Sequence, residues 1–195
     1  YEDSELNAKV EFVAKSAGQA KRRFVWDIGC NTGTFSRVCE PFADHVIAVD
    51  GDHNAVERLY LHEVSRSGSK ILPLVMNLAN ISPSQGWGGT ERAAFDAREK
   101  PDLVLALALI HHIRLSANIP IDMFLDWLRG LGSAVVIEFV GREDEMVVKL
   151  LMNKKEKYDD YTRENFIAQV EQRYQIRDRR PLKGGHRELF YLEPR

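Results

Sequence analysis

The sequence predicts an α/β fold organised on a parallel sheet, and three observations predict it. First, Phe24-Val25-Trp26-Asp27-Ile28 is a strand-like run that enters the glycine-bracketed loop Gly29-Cys30-Asn31-Thr32-Gly33, and a helical pattern starts at Thr34. Strand, glycine turn and helix make the first half of a βαβ unit. Second, another strand-like run, His45–Asp50, ends in an acid about 20 residues after that loop begins. Third, Leu103–Ile110 reads LVLALALI, apolar without alternation. Such a run marks a central strand covered on both faces, as parallel sheets require. Ligands of open α/β sheets sit outside the carboxyl ends of the strands, so the glycine loop and Asp50 belong to one edge.

At 195 residues, 44% of them apolar and 29% charged, the chain has the size and composition of one globular domain, residues 1–195. A formal net charge of -2 argues against a generic nucleic-acid binder, and no DNA partner is expected. No apolar run reaches the ~18 residues of a membrane span, and no signal-peptide pattern is present. Two cysteines, Cys30 and Cys39, make neither a disulfide framework nor a zinc site. A cytoplasmic setting is therefore the expectation. The opening residue is Tyr1 rather than Met, which points to a domain excised from a longer protein.

In chain order, Ser4–Ala17 reads as a helix capped by Asp3 or Ser4, with Leu6, Val10 and Val13 on one face and Phe12 and Ala17 close by. Thr34–Cys39 is a short helix stopped by Pro41. Asn54–Ser67 follows the second strand, its apolar face being Ala55, Val56, Leu59, Tyr60 and Val64. Lys70–Leu78 is a third strand, placed near an edge because Pro73 cannot donate to a ladder. Asn80–Lys100 is an irregular stretch bordering the substrate site, with a short helix over Glu91–Arg98 and Trp87 as its packed anchor. After the central strand and a connector over Ser116–Ile119, Pro120 opens a helix over Ile121–Leu131 with Met123, Phe124, Trp127, Leu128 and Leu131 inward.

Ser133–Val140 is a fifth strand in which Glu138 interrupts the apolar pattern. A carboxylate there needs a partner and is either a second catalytic candidate or a buried structural acid. Glu143–Asn153 and a segment opened by Thr162, with Phe166, Ile167 and Val170 inward, are helices. Tyr174–Leu182 and Glu188–Leu192 read as an antiparallel pair. The basic residues gathered near the end, Lys154 to Arg187, alternate with acids and read as a solvated edge, an RNA-facing strip being the sharper alternative.

The chemistry is concentrated in the first loop. A dinucleotide fingerprint reads G-x-G-x-x-G, but Asn31 stands where the middle glycine belongs. Asp27, at the mouth of the loop, would repel a pyrophosphate and suit a cation or ammonium group. D-x-G-C-N-T-G, residues 27–33, resembles motif I of the class I S-adenosylmethionine-dependent methyltransferase superfamily. That resemblance implies S-adenosylmethionine as cofactor and S-adenosylhomocysteine as product. It implies that Asp27, Gly29, Cys30, Asn31, Thr32 and Gly33 hold the methionine end. Cys30 itself reads as a small buried filler, not a nucleophile.

Asp50, with Gly51 beside it, suits a ribose, since two carboxylate oxygens accept both diol protons. In the family the end of the third strand meets the adenine edge, which places Asn77 and Leu78 there, with an amide where the family more often has Asp. "ALIHHI" resembles the "LHHI" ending of motif IV, so His111 or His112, His112 ahead, faces the acceptor as a base for an oxygen or nitrogen nucleophile. A metal site from His111, His112 and Glu138 has no diagnostic spacing, and no metal is expected.

The resemblance covers essentially the whole chain. It implies a three-layer αβα Rossmann-like sandwich whose seven-stranded, mostly parallel sheet is closed by the C-terminal antiparallel hairpin. The tail "DYTRENFIAQV…GHRELFYL" resembles bacterial methyltransferases of undefined substrate, some of them nodulation-associated. The expected acceptor is a small or saccharide-type molecule. An RNA or protein methyltransferase, a non-catalytic cofactor-binding domain and, last, a nicotinamide enzyme are the rivals.

Overall fold

A computed structural model of the chain describes residues 3–152 and 154–195. Its elements run α1 (Asp3–Ala17), β1 (Arg22–Ile28), α2 (Thr34–Cys39), β2 (Ala43–Asp50), α3 (His53–Val64), β3 (Ile71–Val75), β4 (Leu103–Ala106), α4 (Ile121–Leu131), β5 (Ala134–Val140), α5 (Glu145–Leu151), α6 (Arg163–Glu171), β6 (Tyr174–Pro181) and β7 (Arg187–Pro194). The sheet order is β3-β2-β1-β4-β5-β7-β6. The first five of these strands are parallel, and β7 runs antiparallel between β5 and β6. This is the seven-stranded, three-layer αβα architecture expected.

Each face of the sheet carries its own core. Phe12, Val13 and Ala17 of α1, with Cys39 and Leu59, cover Val25, Val46, Leu103, Leu105 and Val136. Phe124, Leu125 and Leu128 of α4, with Val147 and Phe166, cover Trp26, Val104, Val135, Ile137 and Phe190 on the other side. Two-sided burial explains the unbroken apolar runs of the central strands; each fully buried Leu, Ile or Val contributes about 1.5–3 kcal/mol. Pro73 sits in the edge strand β3, where its missing N–H costs no ladder bond.

Several expectations are corrected. The apolar run over residues 103–110 is strand only as far as Ala106; the chain turns at Leu107-Ala108, Ala108 adopting φ 48°, and is helical from Ile110, with one π-turn over His112–Ser116 before the irregular connector at residues 117–119. Buried strand and buried helix share one sequence signature, so the run could not mark its own bend. The third strand ends at Val75, which leaves Asn77 and Leu78 in the loop beyond it. Ser4 lies inside α1 and does not cap it; Asn153, the expected end of the α5 helix, lies outside the described residues.

Trp87 is 87% exposed and anchors nothing. The anchor of the irregular stretch is Phe95, buried against Trp26 with ring centroids 4.3 Å apart, next to Asp96, which accepts a hydrogen bond from Trp127 Nε1 at 3.1 Å. The helix expected at Glu91–Arg98 shrinks to a single 3-10 turn, Phe95–Ala97. On α4 the inward stripe is Ile121, Phe124, Leu125, Leu128 and Leu131, and Met123 is exposed; Tyr60 and Val64 of α3 are exposed too. The basic tail pairs with acids, among them Arg173 with Asp126, Arg177 with Glu193 and Arg180 with Glu11.

Candidate active site

The loop after β1 is left-handed at three of its five residues: Gly29 at φ 79°, Asn31 at φ 49° and Gly33 at φ 77°. Glycine enters that region freely and Asn better than most residues. The result is a bend whose main-chain N–H groups turn toward β2. Gly29 N and Cys30 N both donate to Val49 O, at 2.7 and 3.0 Å. Gly33 is also confined by packing, because a Cβ there would collide with Leu59 of α3.

Asp50, the last residue of β2, completes the tie. Its Oδ2 accepts from Asn31 N and its Oδ1 from Asp52 N, both at 2.8 Å. A carboxylate has about four acceptor sites, so each oxygen keeps one for a ligand. Asp52, not Asp50, caps α3, accepting from Asn54 N and Ala55 N.

These groups border a cavity of about 1300 Å³ over the carboxyl ends of β1, β2 and β4. Of the residues expected to bind cofactor, Gly29, Cys30, Asn31, Thr32, Asp50, Gly51, Asn77 and Leu78 all line it. Gly33 does not, its role being to shape the bend. Asp27 does not either, and its expected place at the mouth of the loop is corrected. It lies beneath the loop, 2% exposed, and accepts from Ser36 Oγ at 2.6 Å. Burial raises its pKa to about 6, partly offset by the Ser36 hydroxyl, with Asp50 adding to the rise. Cys30 is buried, and burial, then the charges of Asp27 and Asp50, push its thiol far above the usual range. That agrees with a filler.

Asn77 forms a local turn, its Oδ1 accepting from Ala79 N at 2.9 Å and its carbonyl from Asn80 N at 3.0 Å. The left-handed Ala108 turns the chain out of β4 so that both histidines meet the cavity. Their rings lie 4.2 Å apart at 40°. His111 is 2% exposed, and burial, then the neighbouring His112 and Arg187, lower its pKa to about 3. His112 is half-buried; burial lowers its pKa, and Asp50 opposes that. Both rings are neutral at pH 7.

The far side of the cavity holds a charged cluster that sequence reasoning caught only in part. Glu138 Oε1 accepts from Lys9 Nζ at 2.7 Å and from Arg187 Nη1 at 3.2 Å. Arg187 also grips Asp144, its Nε to Oδ2 at 2.7 Å. Glu138 betrayed itself by interrupting an apolar strand. Lys9 and Arg187 gave no such signal, because a lysine on a helix and an arginine in a turn usually face water.

The donor set matches S-adenosylmethionine. A bend that brings backbone to the cavity, a pre-aligned carboxylate with acceptor capacity left for a diol, and an adjacent loop at Asn77-Leu78 follow one another along a single wall.

Comparison with known proteins agrees. Residues 1–179 match the model of a family described as a methyltransferase domain. The chain is 35% identical over 194 residues to the nodulation protein NoeA of Rhizobium meliloti (strain 1021), a match covering 99% of this chain and 40% of NoeA. The chain thus spans about two-fifths of that relative's length. The fold resembles the N-methyltransferase NodS of Bradyrhizobium japonicum WM9, at a TM-score of 0.69 and 12% identity, covering 100% of this chain and 99% of NodS. The NodS complex with S-adenosyl-L-homocysteine gives 0.67 and 14%, covering 99% and 88%. Magnesium protoporphyrin IX methyltransferase (ChlM) from Synechocystis PCC 6803, with S-adenosylhomocysteine bound, gives 0.62 and 14%, covering 96% and 81%. The chain belongs to the methyltransferase domain family, and its fold is that of solved S-adenosylmethionine-dependent methyltransferases.

Proposed function

We propose that this domain methylates a small polar or saccharide-type molecule, with the methionine end of the cofactor on Gly29, Cys30, Asn31 and Thr32, the ribose on Asp50 and Gly51, and the adenine beside Asn77 and Leu78. The observation that carries this reading is the double fixation of Asp50 by Asn31 N and Asp52 N, which leaves one acceptor site on each oxygen for a diol. Gly33 and Asp27 act indirectly, the first by allowing the bend and the second by holding Ser36 of α2 beneath it.

Bound S-adenosylmethionine supplies an electrophilic methyl carbon and a thioether leaving group. The residues of this chain then have three tasks: to exclude water, to align the nucleophile and to take its proton. His112 is the candidate for the last. It lines the cavity, is less buried than His111 and is neutral at pH 7, so its ring has a lone pair to offer. A cavity of this volume, with room beyond the cofactor residues, supports a small-molecule or saccharide-type acceptor. A cytoplasmic setting accords with two unpaired, buried cysteines, and among the described residues no helix is long and apolar enough to cross a membrane.

The test is calorimetry of the domain with S-adenosylhomocysteine, followed by transfer of an isotope-labelled methyl group into a whole-cell extract separated afterwards into small-molecule, RNA and protein fractions. One-site binding and a labelled low-mass product are expected. Absence of binding heat would defeat the cofactor assignments, and label appearing only in RNA or protein would defeat the acceptor class.

A further inference from the structure

Beyond the histidines, the wall of the cavity contains a polar group that the reading above leaves unused. Glu138 is 0% exposed, in the middle of a sheet, and its two oxygens are treated very differently. Oε1 takes both cations, Lys9 and Arg187. Oε2 is buried with no hydrogen-bond partner. A buried acceptor left unsatisfied costs about 1–3 kcal/mol, and more when charged. On the same wall His111 Nδ1 is likewise buried and unpartnered.

The arrangement is built, not incidental. Lys9 arrives from α1, Glu138 from β5 and Arg187 from the start of β7, and Asp144, the cap of α5, holds Arg187 from behind. Glu5, one turn before Lys9, lies 3.8 Å from its ammonium and also lines the cavity. Two cations anchor one oxygen of the carboxylate, which fixes the direction of the other.

We propose that Glu138 is an acceptor-binding residue, whose Oε2 receives the hydrogen bond of an O–H or N–H group on the methyl acceptor. This rests on the cofactor reading, which places S-adenosylmethionine on the opposite wall. The chemistry that fits is a hydrogen-bond donor, hydroxyl or amine. An anion pressed against Glu138 and Glu5 would be repelled. His111 Nδ1 gives the same acceptor a second polar contact.

The informative variant is Glu138→Gln. Its amide oxygen should stay on Lys9 and Arg187, which both donate, and its NH₂ then turns to the cavity. The scaffold keeps its bonds while the acceptor becomes a donor. A second variant, K9M/E138L, replaces the buried pair by apolar groups, an exchange often neutral for stability. Both are compared with the unaltered domain saturated with S-adenosylhomocysteine, using glucose (hydroxyls only) and glucosamine (hydroxyls and an ammonium) as probes, read by saturation-transfer NMR. Binding of at least one probe to the unaltered domain is expected, weakened roughly 10–100-fold in both variants, the scale of losing a hydrogen bond to a charged group. S-adenosylhomocysteine affinity should stay within about two-fold, since no cofactor residue is touched. Equal probe binding by Glu138→Gln and the unaltered domain, or binding of neither probe to the unaltered domain, would overturn the proposal alone. Failure of the unaltered domain to bind S-adenosylhomocysteine would overturn the cofactor reading and this proposal with it.

Discussion

Asn31 donates its main-chain N–H to Asp50 Oδ2 at 2.8 Å, so the glycine loop after β1 and the acid at the end of β2 form one unit. Asp50 thereby holds the bend, and the proposed function gives its remaining acceptor sites to the cofactor ribose. Asp50→Ala should weaken S-adenosylhomocysteine binding by ~1–3 kcal/mol, the scale of losing hydrogen bonds to a charged acceptor. Isothermal calorimetry checks it, and unchanged affinity would remove Asp50 from the site.

Gly33 combines a left-handed backbone with no room for a Cβ beside Leu59. Gly33→Ala should lower stability by about 1–3 kcal/mol, from backbone strain together with forced repacking. Urea unfolding measures this. A variant as stable as the parent would mean that the bend relaxes freely.

Asp27 and His111 should give the domain opposite pH dependences over one range. Asp27, raised from 3.8 to about 6, holds a proton in the folded state that the unfolded chain has lost between those values. Its contribution to stability is full below about pH 4 and disappears as pH rises through 6, at up to about 1.4 kcal/mol per pH unit. His111, lowered from 6.5 to about 3, excludes a proton that the unfolded chain takes up. Its contribution is present above pH 6.5 and is lost as pH falls toward 3. Asp27→Asn should therefore steepen the loss of stability on acidification from pH 6 to 4, and His111→Gln should flatten it. Urea midpoints across that range, compared with the parent, decide both.

His112→Ala should leave S-adenosylhomocysteine affinity nearly unchanged and reduce methyl transfer by roughly 10²–10⁴-fold, the usual contribution of a positioned general base. The rate is to be measured on the product that the labelling experiment identifies. An unaltered rate would return His112 to a packing role.

Most of the sheet was legible in the sequence because local chemistry specified it. Phe24 to Gly33 announces strand, bend and helix in ten residues, and β2 ends in its acid at a characteristic distance. Legibility failed where burial hid direction. The apolar stretch from Leu103 to Ile110 says only that it is inside; the turn at Ala108, which delivers His111 and His112 to the cavity, depends on packing with the helices around it. Composition pointed to Trp87 as the anchor of the irregular stretch, and only the pocket beside Trp26 chose Phe95 instead.

By itself the sequence determined the class of fold, the order of its strands' chemistry and the residues that line the cavity beside the glycine bend, because each lies within a few positions of a glycine, a strand end or a helix start. Only the tertiary structure decided that Asp27 is a buried support beneath the loop, and that Lys9, Glu138 and Arg187 meet across the cavity from three separate elements. The physical reason is range. Backbone geometry acts between neighbours in the chain, whereas desolvation and ion pairing act between neighbours in space.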